Sequence, residues 1–194
     1  MVSNAGKVGI AVAVIVVIAI LAVVGMYNSF VVLDQSINGA WSGVENQYQR
    51  QADLIPNLVS AVSSAVSVET KFVKDVTAAR TGWQAAAGEL AKDKAGMDMT
   101  NSITAFVNAV AENYPTLQAN TQYVALTDEL SGTQNRVTTA RGRYIEAIQS
   151  FNTAIKMFPG NVFAGMFGFA QRDYYQADIS AMKTPSLGNG TLPT

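Results

Sequence analysis

Nineteen consecutive residues, Val8 to Met26, carry no charge and consist only of Val, Ile, Ala, Leu, Gly and Met. As a helix rising about 1.5 Å per residue, the run covers about 28 Å, close to the ~30 Å hydrocarbon thickness of a bilayer. A buried core helix and a cleaved signal peptide are the competing readings. A core helix normally shows a polar face, and this run has none. A signal peptide has a shorter apolar stretch, although Val23-Val24-Gly25 offers a weak small-residue cleavage site. The segment therefore reads as a retained membrane anchor. Lys7 precedes it and the next basic residue is Arg50, so the positive-inside bias predicts a cytoplasmic N-terminus and an extracytoplasmic domain. Tyr27 and Phe30 suit either an interfacial aromatic belt or the start of the domain core.

The 194-residue length leaves room for one domain beyond such an anchor. With 13 basic against 14 acidic residues, the chain has no surplus of positive charge to neutralise a phosphate backbone, so nucleic acid is not an expected partner. There is no cysteine and no histidine. Thiolate nucleophiles, Ser-His-Asp triads, and zinc or di-metal sites with Cys or His ligands are thereby excluded. No Asp or Glu pair falls in a recognisable catalytic motif, so neither a cofactor nor an enzymatic role is expected.

Past the anchor the apolar period is helical. Phe30, Ile37 and Val44 recur every seven residues with Trp41 and Tyr48 between them, which predicts a helix continuing out of the membrane with an apolar seam. Pro56 is expected to end it, with Asp53 and Asn57 capping the bend. A second helix, seamed by Val59, Val62, Val66, Val73, Val76 and Trp83, is expected to reach about Leu90. Mixed charges and a glycine make 92–99 a loop or frayed turn. A shorter helix from about Thr100 to Asn113 stops before Pro115. The last and longest helix begins near Asn120, a capping residue, and carries Tyr123, Leu130, Val137, Tyr144, Phe151 and Phe158 at intervals of seven. Phe158-Pro159-Gly160-Asn161 is its stop.

The expected fold is all-α: a single N-terminal transmembrane helix continuing into an antiparallel four-helix bundle. Its parts are a short flank (1–7), the transmembrane helix (8–26), the bundle (27–170) and a C-terminal extension (171–194) whose end, from Thr184, reads as a flexible tail. The Asn189-Gly190-Thr191 sequon is too short a match to carry weight. Phe163 and Phe167 lie in a glycine-spaced apolar stretch that reads either as a lid on the bundle end or as an exposed patch for a partner or the lipid interface.

Several short motifs stand in one order along the chain. They include Tyr27-Asn28-Ser29, Ala40-Trp41-Ser42, Asp53-Leu54-Ile55-Pro56-Asn57-Leu58-Val59, Ala79-Arg80, Ala111-Glu112-Asn113-Tyr114-Pro115, Asn135-Arg136, Ala140-Arg141, Phe151-Asn152-Thr153-Ala154-Ile155 and Phe158-Pro159-Gly160-Asn161. In these the chain resembles the LemA family from Tyr27 to Phe169. The resemblance implies a membrane-anchored four-helix bundle of bacteria and some archaea without an established biochemical activity. Some relatives are magnetosome-formation proteins, which points to membrane organisation. Gln134, Ile145 and Asp34 depart from the family pattern, where Glu, Asn and a basic residue are usual.

Two functional readings stay open ahead of a third, a hydrolase using carboxylates for acid–base work, which the lack of a catalytic motif ranks lowest. The first is a membrane-anchored scaffold or adaptor whose partners are the lipid bilayer and another protein or copies of itself, with Phe163 and Phe167 on the contact surface. The second is a small-ligand or envelope-component binding module with a site between helices, lined by Arg80, Arg141 and Asp53. Arg136, Arg141 and Arg143 on the last helix are expected to form solvated pairs with carboxylates, or a partly buried network that fixes register. Arg80 and Arg141 are the first choices for bridging two helices. Trp41 and Trp83 occupy the seams and read as core anchors.

Overall fold

The computed structural model describes residues 4–173, so the expected tail and the sequon lie outside the described residues. Five α-helices follow one another: α1 (Asn4–Ala65), α2 (Thr70–Ala85), α3 (Glu89–Asn113), α4 (Thr121–Lys156) and α5 (Gly160–Met166), with a 3-10 turn at Pro115–Ala119 before α4. No strand is present among the described residues.

α1 begins in the apolar run and continues without interruption into the domain for 62 residues. In its first part Ile10, Val14, Ile18 and Leu21 are all exposed, as a lipid-facing segment requires. From Phe30 onward the seam is buried: Phe30, Ile37, Trp41, Val44, Tyr48, Ile55, Leu58 and Val62 all lie in the core. α4 runs antiparallel along it, contributing Tyr123, Leu130, Val137, Tyr144, Ile148 and Phe151. The α2–α3 hairpin packs against the half of α1 farther from the apolar run, through Val76, Trp83, Met99, Ile103 and Phe106. The directions alternate, so this is an up-and-down four-helix bundle. Each fully buried large apolar side chain contributes about 1.5–3 kcal/mol, which makes the two long seams the main source of stability.

Three helix boundaries correct the sequence reading. Pro56 does not end the first helix; it lies inside α1, which runs on to Ala65. Proline lacks the N–H that would bond the carbonyl four residues back. That carbonyl, on Ala52, instead accepts a hydrogen bond from Arg80 Nε of α2 at 2.8 Å. A side chain from a neighbouring helix thus restores the missing bond. Neither Asp53 nor Asn57 caps a helix: both are exposed within α1, and Asp53 accepts from Gln49 Nε2 at 2.7 Å.

The break falls at 66–69 instead, within a stretch of weak helix formers, Ser63, Ser64, Val66, Ser67 and Val68. Tyr114 from the far end of α3 closes this corner by donating to the Ser67 carbonyl at 2.8 Å. Nor is 92–99 a loop, since it forms part of α3. Leu90, Ala91, Lys92 and Lys94 are strong helix formers, and Asp93, Gly96 and Met99 make a buried face. The true turn is Ala86-Ala87-Gly88, where Gly88 takes a φ of 83° that side chains rarely adopt.

α4 ends at Lys156, so Phe158, expected on its seam, falls past the helix and is exposed; the other boundaries agree with expectation. α3 stops at Asn113 and Pro115 opens the 3-10 turn. Asn120 caps α4, its side-chain oxygen accepting from the Tyr123 backbone N–H at 3.0 Å.

Candidate functional site

A buried polar cluster forms where α1, α3 and α4 meet. Tyr48 of α1 donates its hydroxyl to Asp93 Oδ1 of α3 at 3.1 Å, and Arg141 Nε of α4 lies 3.3 Å from the same oxygen. Gly96, one turn beyond Asp93, makes room for Tyr48: a Cβ there would sit 2.6 Å from the ring carbons. Asp93 is 2% exposed. Burial pushes its carboxyl up to about 6, against the opposing pull of Arg141 and the Tyr48 hydrogen bond. Burial, followed by the neighbouring Asp93 charge, also raises the Tyr48 hydroxyl well above its ordinary range.

A second polar layer lies one turn nearer the membrane segment. Tyr144 of α4 donates to Glu89 Oε2 of α3 at 2.7 Å, with Trp41 packed on its ring at 5.5 Å between centroids. Beyond it the chain after α5 folds back. Asn152 makes two hydrogen bonds with the backbone of Arg172, at 2.8 and 2.9 Å. The Arg172 guanidinium in turn pairs with Asp34 of α1 at 2.8 Å. Three successive layers thus tie α4 to other parts of the chain, the first two by bonds to the Asp93 and Glu89 carboxylates and the third by the Asn152 amide.

The residues singled out from the sequence do not form one site. Arg80 bonds the Ala52 carbonyl, Arg141 pairs with Asp93, and Asp53 bonds Gln49. Each of the three, named as lining a site in the binding reading, is thus bonded to a different partner. Arg136 joins Glu129, which also pairs with Arg50, at 2.6 and 2.8 Å. Trp41 is a core residue. Phe163 and Phe167 are half-buried and stacked on each other at 6.3 Å, and Phe167 meets Tyr27 edge-on at 5.2 Å.

Of the residues in the three layers, Asp93, Glu89 and Arg172 stand in none of the sequence motifs, and Asn152 only within Phe151-Asn152-Thr153-Ala154-Ile155, which assigns it no role. The first two fell next to or inside a segment read as loop. The last two owe their role to a chain reversal that local patterning does not report.

A groove of about 540 Å³ runs between α1 and α4. Gly39, Gly43 and Gln47 line its α1 side, and Arg136, Thr139 and Arg143 its α4 side. A Cβ at either glycine would meet nothing within 4 Å. Among the described residues no group of three or more His, Cys, Asp or Glu side chains is placed to hold a metal ion.

A span-length apolar helix continuing into an up-and-down bundle, with its buried charges used to join helices, defines a membrane-associated helical-bundle protein. Within that class the chain belongs to the LemA family, whose model matches residues 40–187. It is similar to Magnetosome protein MamQ 2 of Paramagnetospirillum magneticum, with 26% identity over 211 aligned residues covering 94% of this chain and 78% of that protein. Magnetosome protein MamQ 1 of the same organism matches to the same extent. Magnetosome protein MamQ of Magnetospirillum gryphiswaldense is 25% identical over 195 residues, covering 86% of this chain and 72% of its own.

Proposed function

We propose that this protein is a membrane-anchored, non-catalytic helical scaffold or adaptor that acts in membrane or envelope organisation through protein–protein contacts, including contacts between its own copies. The observation that carries the reading is α1. One helix supplies both the apolar span and the longest seam of the bundle. The 39 residues from Tyr27 to Ala65 project the bundle about 58 Å from the end of the span at the helical rise. A bundle fused to its anchor in this way keeps a fixed position relative to the span itself, which is what a scaffold requires. The relatives named as magnetosome proteins support a part in membrane organisation. Lys7 before the span, with no further basic residue until Arg50, supports an extracytoplasmic bundle.

A second reading, a small anionic ligand held in the α1–α4 groove, is favoured by Arg136 and Arg143 on one side of it, with Gly39 and Gly43 on the other. A thermal-shift screen of anions that leaves the melting temperature unmoved would remove it. The scaffold reading is tested by photo-crosslinking in intact membranes, with benzoylphenylalanine in place of Thr139 on the groove or Asn46 on the outer face of α1, both exposed. Recurrent capture of one identified protein is expected, either a second copy or one other membrane or envelope protein. Adducts to lipid alone, or none at either position, would overturn the scaffold.

A further inference from the structure

The corner where α4 passes into α5 presents an apolar surface that the bundle does not use. Phe158 is 82% exposed, Met166 75%, Met157 61% and Val162 54%. Scattered apolar residues on a surface need no explanation. These four, however, fall within a ten-residue stretch that contains no charged residue.

Their height along the molecule is set by the antiparallel pairing of α1 with α4. Trp41 packs on Tyr144, so each step forward along α4 lies level with one step back along α1. Lys156, the last residue of α4 and twelve past Tyr144, therefore falls level with Ser29, twelve before Trp41, and Phe158 follows two residues on. Tyr27 directly follows Met26, the last residue of the apolar span. Two contacts confirm the level: Phe167 meets the Tyr27 ring at 5.2 Å, and Gly160 lies against Phe30, whose Cζ would be 3.1 Å from a Cβ built there.

We infer that the α4–α5 corner is a second membrane contact, an interfacial foot in which Met157, Phe158, Val162 and Met166 enter the boundary between lipid headgroups and acyl chains beside α1. The inference rests on the anchoring of α1 and adds a second point of attachment. The half-buried Phe163 and Phe167 join the foot to the bundle, while the exposed side chains face the lipid. Between Glu146 and Arg172 the one charged residue is Lys156, exposed at the end of α4. A lysine there lays its aliphatic stem on apolar surface and extends its ammonium toward phosphate headgroups. No carboxylate from that stretch, or from α1 between Val8 and Leu33, opposes an anionic surface. Attachment at two points fixes the tilt of α1, which a single helix leaves free.

The absence of cysteine allows a direct test. Nitroxide labels are placed singly at Phe158→Cys and Met166→Cys in the full-length chain, reconstituted in vesicles of phosphatidylcholine and phosphatidylglycerol. Ile15→Cys in the span and Ser42→Cys on the exposed face of the bundle serve as references. At Phe158 and Met166 collision with a water-soluble nickel chelate is expected to be several-fold lower than at Ser42, while collision with oxygen stays high as at Ile15. Nickel access equal to that at Ser42 overturns the foot and leaves the anchor standing. Protection from both relaxants also overturns it, in favour of a protein cover. Aqueous behaviour at Ile15 itself overturns the anchor and the foot with it. Labels at Met157→Cys and Val162→Cys repeat the measurement should a phenylalanine substitution disturb the corner.

Discussion

Pro56 and Arg80 act as one unit. The proline removes a helix hydrogen bond, and the arginine from α2 supplies a donor to the carbonyl left behind on Ala52. Arg80→Ala is expected to destabilise the bundle by about 1.5–3 kcal/mol, the usual worth of a hydrogen bond to a charged group. In a Pro56→Ala background the backbone N–H returns, and the same substitution should cost at least about 1 kcal/mol less. Chemical unfolding of the four proteins in detergent checks this coupling. Asp93 gives a pH-dependent prediction. Its carboxyl rises from 3.8 to about 6 in the folded protein, so the folded state holds its proton more tightly than the unfolded chain. This group's contribution to stability is full below pH 3.8, declines as pH rises through about 6, and amounts to about 3 kcal/mol across that window. Asp93→Asn should abolish that decline; the comparison is thermal unfolding of both proteins between pH 4 and 7 in detergent. Arg80 and Arg141 were legible in the sequence as long, planar donors able to bridge helices. Their partners were not, because one is a backbone carbonyl exposed by a proline and the other a carboxylate in a segment whose charges and glycine imitate a loop.

Among the elements, α3 shows why a helix can be hidden by its own packing. Gly96 weakens the helical signal, yet the Tyr48 ring occupies the space its side chain would take. Gly96→Ala is expected to destabilise by about 1–3 kcal/mol through overpacking, although alanine is the better helix former. Gly142 in α4 is the contrasting case, since a Cβ there meets nothing within 4 Å. Gly142→Ala should stabilise by about 0.5–1 kcal/mol. Urea unfolding of the two variants, read by helical circular dichroism, separates a glycine held by packing from one that is merely tolerated. The seams of α1 and α4 were legible because a seven-residue apolar interval survives any choice of partner helix. The turns at 66–69 and 86–88 were harder to read. A run of weak helix formers ends α1 more gently than a proline signals, and the proline that did signal was repaired from outside.

Across the molecule, one element belongs to two environments. α1 is apolar and exposed over its first part, forms the spine of the bundle over the rest, and carries no break at the junction. The aromatic contacts of Tyr27 and Phe30 with Phe167 and Phe169 brace that junction from the side. The membrane span and the helical class followed directly from composition and period. The bracing did not, because it depends on the chain returning to α1 after passing through the whole bundle. The most direct test is the distance along this spine, measured by pulsed electron–electron double resonance between nitroxides at Ile18→Cys and Asn46→Cys in lipid nanodiscs. The two positions are 28 residues apart and both exposed, which for an unbroken helix corresponds to about 42 Å between backbones. A single narrow distribution near that separation is the predicted result. A broad distribution, or one centred well below it, would show a hinge between span and bundle and contradict the rigid mast on which the scaffold depends.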